Sequence, residues 1–115
     1  MDVVTWNEEP VEQLNPAIRR QLFNTERMTI ARIQLEAGAV VPEHSHEHEQ
    51  VVNVLEGRMR FRIDGEELTV GPGESLLIES NASHDATALE NSIVLDVFAP
   101  PRDDWQRGDD AYLRG

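Results

Sequence analysis

The stretch Gly38-Ala-Val-Val-Pro-Glu-His44-Ser-His46-Glu-His48-Glu-Gln50-Val-Val-Asn-Val-Leu-Glu-Gly57 decides the reading of this chain. Glycine bounds it on both sides, so it reads as strand, turn, strand, turn. Alternate side chains of a strand share a face, so His44 and His46 point the same way. Neutral imidazoles gathered on one face are a common means of holding a divalent transition metal. His48 keeps the parity of His46 only if the strand is unbroken. The turn is expected to rotate it outward, with Glu43, Glu47 and Glu49 solvated at the rim.

Working outward, the 115 residues suffice for one domain around one core. Ten basic residues against 22 acidic ones give a net charge of −12. That balance argues against nucleic acid, whose phosphates need a basic face, and against anionic membrane surfaces. A small anionic substrate stays open, because a bound metal outweighs a distant surface field. With no cysteine in the chain, disulfides, thiolate catalysis and iron–sulfur clusters are excluded. Every basic residue is arginine, so no lysine is present to form a Schiff base. The acidic start Met1-Asp2-Val-Val-Thr-Trp6 and the lack of a long apolar run lead us to expect a cytoplasmic protein.

The rest of the chain is rich in short strand signals. Between Asp2 and Asn24, Pro10 and Pro16 break any long helix, and strands or a helical turn remain open there. Met28 to Leu35 reads as a strand stopped at Ala37-Gly38. Met59, Phe61 and Ile63 alternate with Arg58, Arg60 and Arg62, an arginine stripe expected to be solvated or at an interface. Asp64-Gly65 follows at once, a type I′ hairpin signal, with Glu67 to Val70 as the return strand. Ser75 to Ile78 is expected to be a short buried strand. Ser83 to Ala88 and Ser92 to Phe98 complete the series before Pro100-Pro101. In the acidic tail from Arg102 to Gly115, Trp105 and Tyr112 are expected to pack back on the body. Many short strands joined by glycine-rich turns point to a sandwich or barrel.

The glycine, the alternating histidines, Gln50 and the closing glycine resemble the first motif of the cupin superfamily. Gly73-Glu-Ser-Leu-Leu-Ile-Glu79-Ser-Asn81-Ala-Ser-His84 resembles the second. Glu79 stands where the family usually has proline. Asn81 replaces a glycine, and asparagine tolerates the same left-handed backbone. The resemblance spans about residues 28–99. It implies an all-β jelly-roll barrel (a double-stranded β-helix), with residues 1–27 as added N-terminal strands and 100–115 as a tail, in one domain. It also implies that His44, His46, Gln50 and His84 ligate one divalent transition metal. Nitrogen and amide-oxygen donors suit Ni, Zn, Fe, Mn or Co. Gln50 stands where glutamate is more common, so the donors leave the full charge of the metal uncompensated and suited to Lewis-acid work.

Asp96 is the other informative residue. Val94, Asp96 and Phe98 share one face of a strand, with Ile93, Leu95 and Val97 on the other. Burial of a lone carboxyl there raises its pKa, the environment of a general acid or base. Asp96-x-Phe98-x-x-x-Arg102 resembles the C-terminal pattern of KdgF-type cupins, pectin-degradation proteins that linearise unsaturated uronates. That resemblance implies catalysis by Asp96 and sugar placement by Arg102 and Phe98, with the planar guanidinium on the substrate carboxylate. Phe23, Phe61, Trp6 and Trp105 are read as packing. Two other functions fit the same sequence: an iron- or manganese-dependent dioxygenase, and a non-catalytic sugar- or ligand-binding cupin. Small cupins often pair, and an open sheet edge gives a reason to, so a homodimer is expected.

Overall fold

The computed structural model describes residues 1–115. A 3-10 turn at Trp6–Glu8 precedes ten strands. These are β1 (Glu12–Asn15), β2 (Ile18–Asn24), β3 (Thr29–Leu35), β4 (Val40–His44), β5 (Glu49–Glu56), β6 (Met59–Ile63), β7 (Glu66–Val70), β8 (Ser75–Ile78), β9 (His84–Ala88) and β10 (Ser92–Ala99). Two one-turn helices follow, α1 (Asp103–Gln106) and α2 (Ala111–Arg114). One sheet runs β1-β2-β3-β10-β5-β8 and the other β4-β9-β6-β7, with every ladder antiparallel. This is the expected all-β jelly roll.

Period-two alternation builds the core between the sheets. β3 buries Thr29, Ala31, Ile33 and Leu35, and β10 buries Ser92, Val94, Asp96 and Phe98. Register lines these residues up. Ala31, Asp96 and Val52 stand opposite one another across three strands, as do Ile33, Val94 and Val54. From the second sheet, Met59, Phe61 and Ala86 close the core. A fully buried side chain of this kind contributes roughly 1.5–3 kcal/mol.

The open question before residue 24 resolves to strand, because β2 pairs with β3 along its whole length, from Ile18 opposite Leu35 to Asn24 opposite Thr29. Asp64 and Gly65 both have positive φ, as the type I′ turn requires. The arginine stripe is solvated, with Arg60 and Arg62 leaning on Glu67 at 3.2 and 3.7 Å. Ser75–Ile78 departs from the expectation of burial. Only Ile78 is buried, and Leu77 is half-exposed, because β8 is the last strand of its sheet.

The tail packs as expected and is tied at several points. The Arg102 backbone N–H donates to Thr29 Oγ1 at 2.8 Å. Asn15 Nδ2 donates to the Leu113 carbonyl at 2.8 Å. Asp110 accepts from Arg20 and Arg114, each at 2.9 Å. Trp105 and Leu113 are buried by these ties.

Candidate metal centre

The mouth of the barrel gathers the two histidine motifs. β4 ends at His44 and β9 begins at His84, directly opposite it in the ladder. The turn after β4 carries His46. The turn between β8 and β9 fixes it, because the Asn81 N–H donates to the His46 carbonyl at 2.8 Å and Ser80 Oγ to the Glu47 carbonyl at 2.6 Å. Asn81 adopts φ +65, the left-handed backbone that asparagine accepts. The ring centroids of the three histidines lie 4.2 to 5.6 Å apart.

Each ring is held by a backbone carbonyl. Nδ1 meets Pro42 O at 2.8 Å in His44, His48 O at 2.9 Å in His46 and Ala82 O at 2.9 Å in His84. A carbonyl only accepts, so each Nδ1 carries the proton and each Nε2 keeps its lone pair. One ligand atom from each ring falls within 4.8 Å of the others. Burial depresses all three basicities, and it takes His44 and His46 down to about 4. Neutral rings with oriented lone pairs are the form that binds a metal.

Gln50 comes from β5 and supplies a fourth donor atom. Its Oε1 lies 3.1 Å from His46 Nε2. Its amide also lies beside the Asp96 carboxyl and draws its pKa down. Two lone pairs facing each other are satisfied by a positive centre between them. The donor set therefore fits a divalent transition ion held by His44, His46, His84 and the Gln50 oxygen.

Asp96 stands on β10, with Ala31 and Val52 as its ladder neighbours. It is 5% exposed, and its Oδ1 has no hydrogen-bond partner. Burial pushes the carboxyl up to about 7, against the opposing pull of the Gln50 hydrogen bond and the Arg102 charge. His44, Gln50, His84, Asp96, Phe98 and Arg102 line one cavity of about 60 Å³, room for an ion and several waters.

Arg102 does reach this cavity, though much of its fork is engaged. Nε and Nη2 bond to Asp104 at 3.0 and 2.9 Å, and Nη2 also reaches the Tyr112 hydroxyl at 3.0 Å. The guanidinium stacks 4.7 Å from the Phe98 centroid and 4.0 Å from that of Trp105. Phe98 lines the cavity, but Arg102 covers one face and Trp105 meets it edge-on. Phe61 and Trp105, read from sequence as packing residues, both line the cavity as well. His48 does not turn to solvent as expected. It is 5% exposed, with Nε2 3.8 Å from Asp104, because the tail folds over the turn that carries it. Asp104 and Tyr112 were not singled out as site residues. No local spacing marks them, since only the folded tail brings them to the mouth.

A model described as "Cupin domain" matches residues 31–98, more than half of the chain. The chain belongs to the cupin family. Among solved structures, this cupin is similar to KdgF from a Halomonas species, at 30% identity over 91% of this chain and 98% of that one, with a TM-score of 0.86. An RmlC-like cupin from Shewanella frigidimarina superposes with the same TM-score at 24% identity, covering 91% of this cupin and 96% of that chain. A predicted oxalate decarboxylase from Thermotoga maritima gives 0.78 at 19% identity over 86% and 99%, a likeness of fold alone. No curated protein sequence matches this cupin. No helix is long and apolar enough to cross a membrane.

Proposed function

We propose that this cupin is a metal-dependent isomerase that opens 4,5-unsaturated uronate monosaccharides to the linear 5-keto-4-deoxyuronate. The observation that carries this reading is the Asp96 carboxyl. It is enclosed in the wall of the histidine-lined cavity and has one oxygen free of any protein partner. Such a group can take a proton from a ligand and return it elsewhere. The near full-length similarity to KdgF supports the choice of substrate, through the uronate chemistry implied for KdgF-type cupins.

The chemistry balances with one carboxyl. Asp96 takes the proton of the C1 hydroxyl. C1 becomes an aldehyde as its bond to the ring oxygen breaks. That oxygen becomes the C5 ketone, and the electron pair of the C4=C5 double bond takes a proton at C4. A divalent ion on His44, His46, Gln50 and His84 would supply Lewis-acid polarisation of the sugar oxygens. Arg102 would face the substrate carboxylate through Nη1, with Phe98 beneath it setting the plane of the guanidinium. Homodimer formation belongs to the same reading. β8 is an open edge with half-exposed Leu77, and sedimentation at monomer mass would refute the pairing.

The test is an ultraviolet time course on unsaturated galacturonate with metal-replete protein. The conjugated double bond absorbs and the keto product does not. Loss of absorbance, abolished in Asp96→Asn, is the expected result. A flat trace would refute this substrate, and oxygen uptake across candidate metals would then test the dioxygenase alternative.

A further inference from the structure

Tyr112 has no part in the chemistry above. It stands on α2, in the tail that closes the barrel mouth, and it lines the cavity with the histidines and Asp96. Its ring lies 4.5 Å from the His44 ring, tilted by 32°. Its hydroxyl oxygen accepts from Arg102 Nη2 at 3.0 Å and from the Trp105 indole N–H at 3.3 Å. Guanidinium and indole are donors only. Both lone pairs of the hydroxyl are therefore used, and the bonding capacity left is its hydrogen. The hydroxyl has no other protein partner.

Arg102 repeats the pattern. Nε and Nη2 are engaged by Asp104 and Tyr112, and no protein group bonds Nη1. Two neighbouring donors thus remain on the tail side of the cavity. The strand side offers acceptors, namely the imidazole lone pairs, Gln50 Oε1 and Asp96 Oδ1. A ligand that bridges them needs an acidic end for the tail and a hydroxyl-bearing end for the strands.

We propose that Tyr112 is a specificity-determining residue whose O–H, together with Arg102 Nη1, holds the carboxylate of the substrate. The sugar named here rests on the uronate reading; the carboxylate does not. Tyr112 would then distinguish an acid from its neutral counterpart at a site where the ion alone favours any oxygen ligand.

Calorimetry on the nickel-loaded protein tests this, with galacturonate, its neutral methyl ester and the simple hydroxy acid glycolate as probes. Wild type is expected to prefer galacturonate to its ester by tenfold or more. Tyr112→Phe keeps the ring on His44 and removes the hydroxyl, both its hydrogen and the oxygen that accepts from Arg102 and Trp105, and it is expected to cut that preference by roughly fivefold or more. Nickel affinity is expected to stay within about twofold, since no ligand atom changes. Tyr112→Gln, which again offers a donor and an acceptor, is expected to keep more of the preference than the phenylalanine variant. An unchanged preference in Tyr112→Phe, or an equal loss of acid and ester, overturns the proposal, as does the reverse order of the two variants. If wild type ignores galacturonate but binds glycolate in a Tyr112-dependent way, the carboxylate assignment stands without the sugar, and the uronate reading is left to its own ultraviolet test. If neither acid binds, the assignment falls.

Discussion

His46 Nε2 and Gln50 Oε1 lie 3.1 Å apart, and both are acceptors. The His46 proton is committed to a backbone carbonyl on the other side of the ring, and a carbonyl oxygen such as Gln50 Oε1 has no proton to give. The pair is thus unfavourable unless a cation sits against both. Binding an ion should therefore raise stability. At a hundredfold excess over Kd the gain is about 2.7 kcal/mol, or a rise in Tm of about 10 °C for a chain of this size. Thermal melts with Mn, Fe, Co, Ni and Zn, and with chelator, measure it. Loss of the rise in His84→Ala is expected, and no rise with any of the five metals would refute the centre.

Stability should also depend on the buried pair beneath the tail. Arg20 is 1% exposed and meets Asp110 at 2.9 Å. Asp110→Ala leaves a buried guanidinium with only Glu12, at 3.2 Å. The expected cost is about 3 kcal/mol in urea unfolding. Hydrogen bonds from Arg114 and Arg20 hold the Asp110 carboxyl below its ordinary value. A depressed carboxylate stabilises above its unfolded pKa of about 4, and that contribution is lost as pH falls through the folded value. Melts from pH 6 to pH 3 should therefore fall less steeply in Asp110→Asn than in wild type.

Asp96 has the opposite sign. Its folded pKa is raised to about 7, so the native state holds a proton that the unfolded chain releases near pH 4. The carboxyl penalises folding progressively between those values, and fully above the higher one. In metal-stripped protein at pH 8, Asp96→Asn is expected to melt several degrees higher than wild type. It should also lose roughly 10²-fold or more in turnover when metal is restored. Equal melting temperatures at pH 8 would show that the site does not strain the fold.

Gly57 and Gly38 give a controlled comparison. Both have φ near +90, but a Cβ on Gly57 would collide with Ser92 Oγ and the Asn91 carbonyl, while one on Gly38 meets nothing. Gly57→Ala is expected to cost about 3 kcal/mol, from backbone strain plus overpacking, and Gly38→Ala about 1 kcal/mol, from strain alone. Urea midpoints of the two variants check the order.

The strands and the histidine cluster were legible because their signals are local. Asp64-Gly65 fixes a hairpin by its own backbone preferences. Alternation in Ser92 to Phe98 groups Asp96 with Val94 and Phe98, but the opposite face is just as apolar, so only the fold shows that the Asp96 face is the inner one. The fate of His48 was not legible, because a turn breaks strand parity and the tail that buries the ring lies more than 50 residues away. Leu77 was misread for a related reason, since an apolar run does not reveal that its strand lies at a sheet edge. Arg102 was expected at the site from the resemblance of Asp96-x-Phe98-x-x-x-Arg102 to KdgF-type cupins. Its engagement with Asp104 and Tyr112 depends on two short helices whose sequence carries no helical periodicity.

The most direct test of the central claim is proton NMR of unsaturated galacturonate incubated with metal-replete protein in D2O. Ring opening through Asp96 predicts a linear 5-keto product carrying one solvent deuteron at C4, formed at least a hundredfold more slowly by Asp96→Asn. Cyclic substrate that persists at the uncatalysed rate, or is consumed only with oxygen, would contradict it.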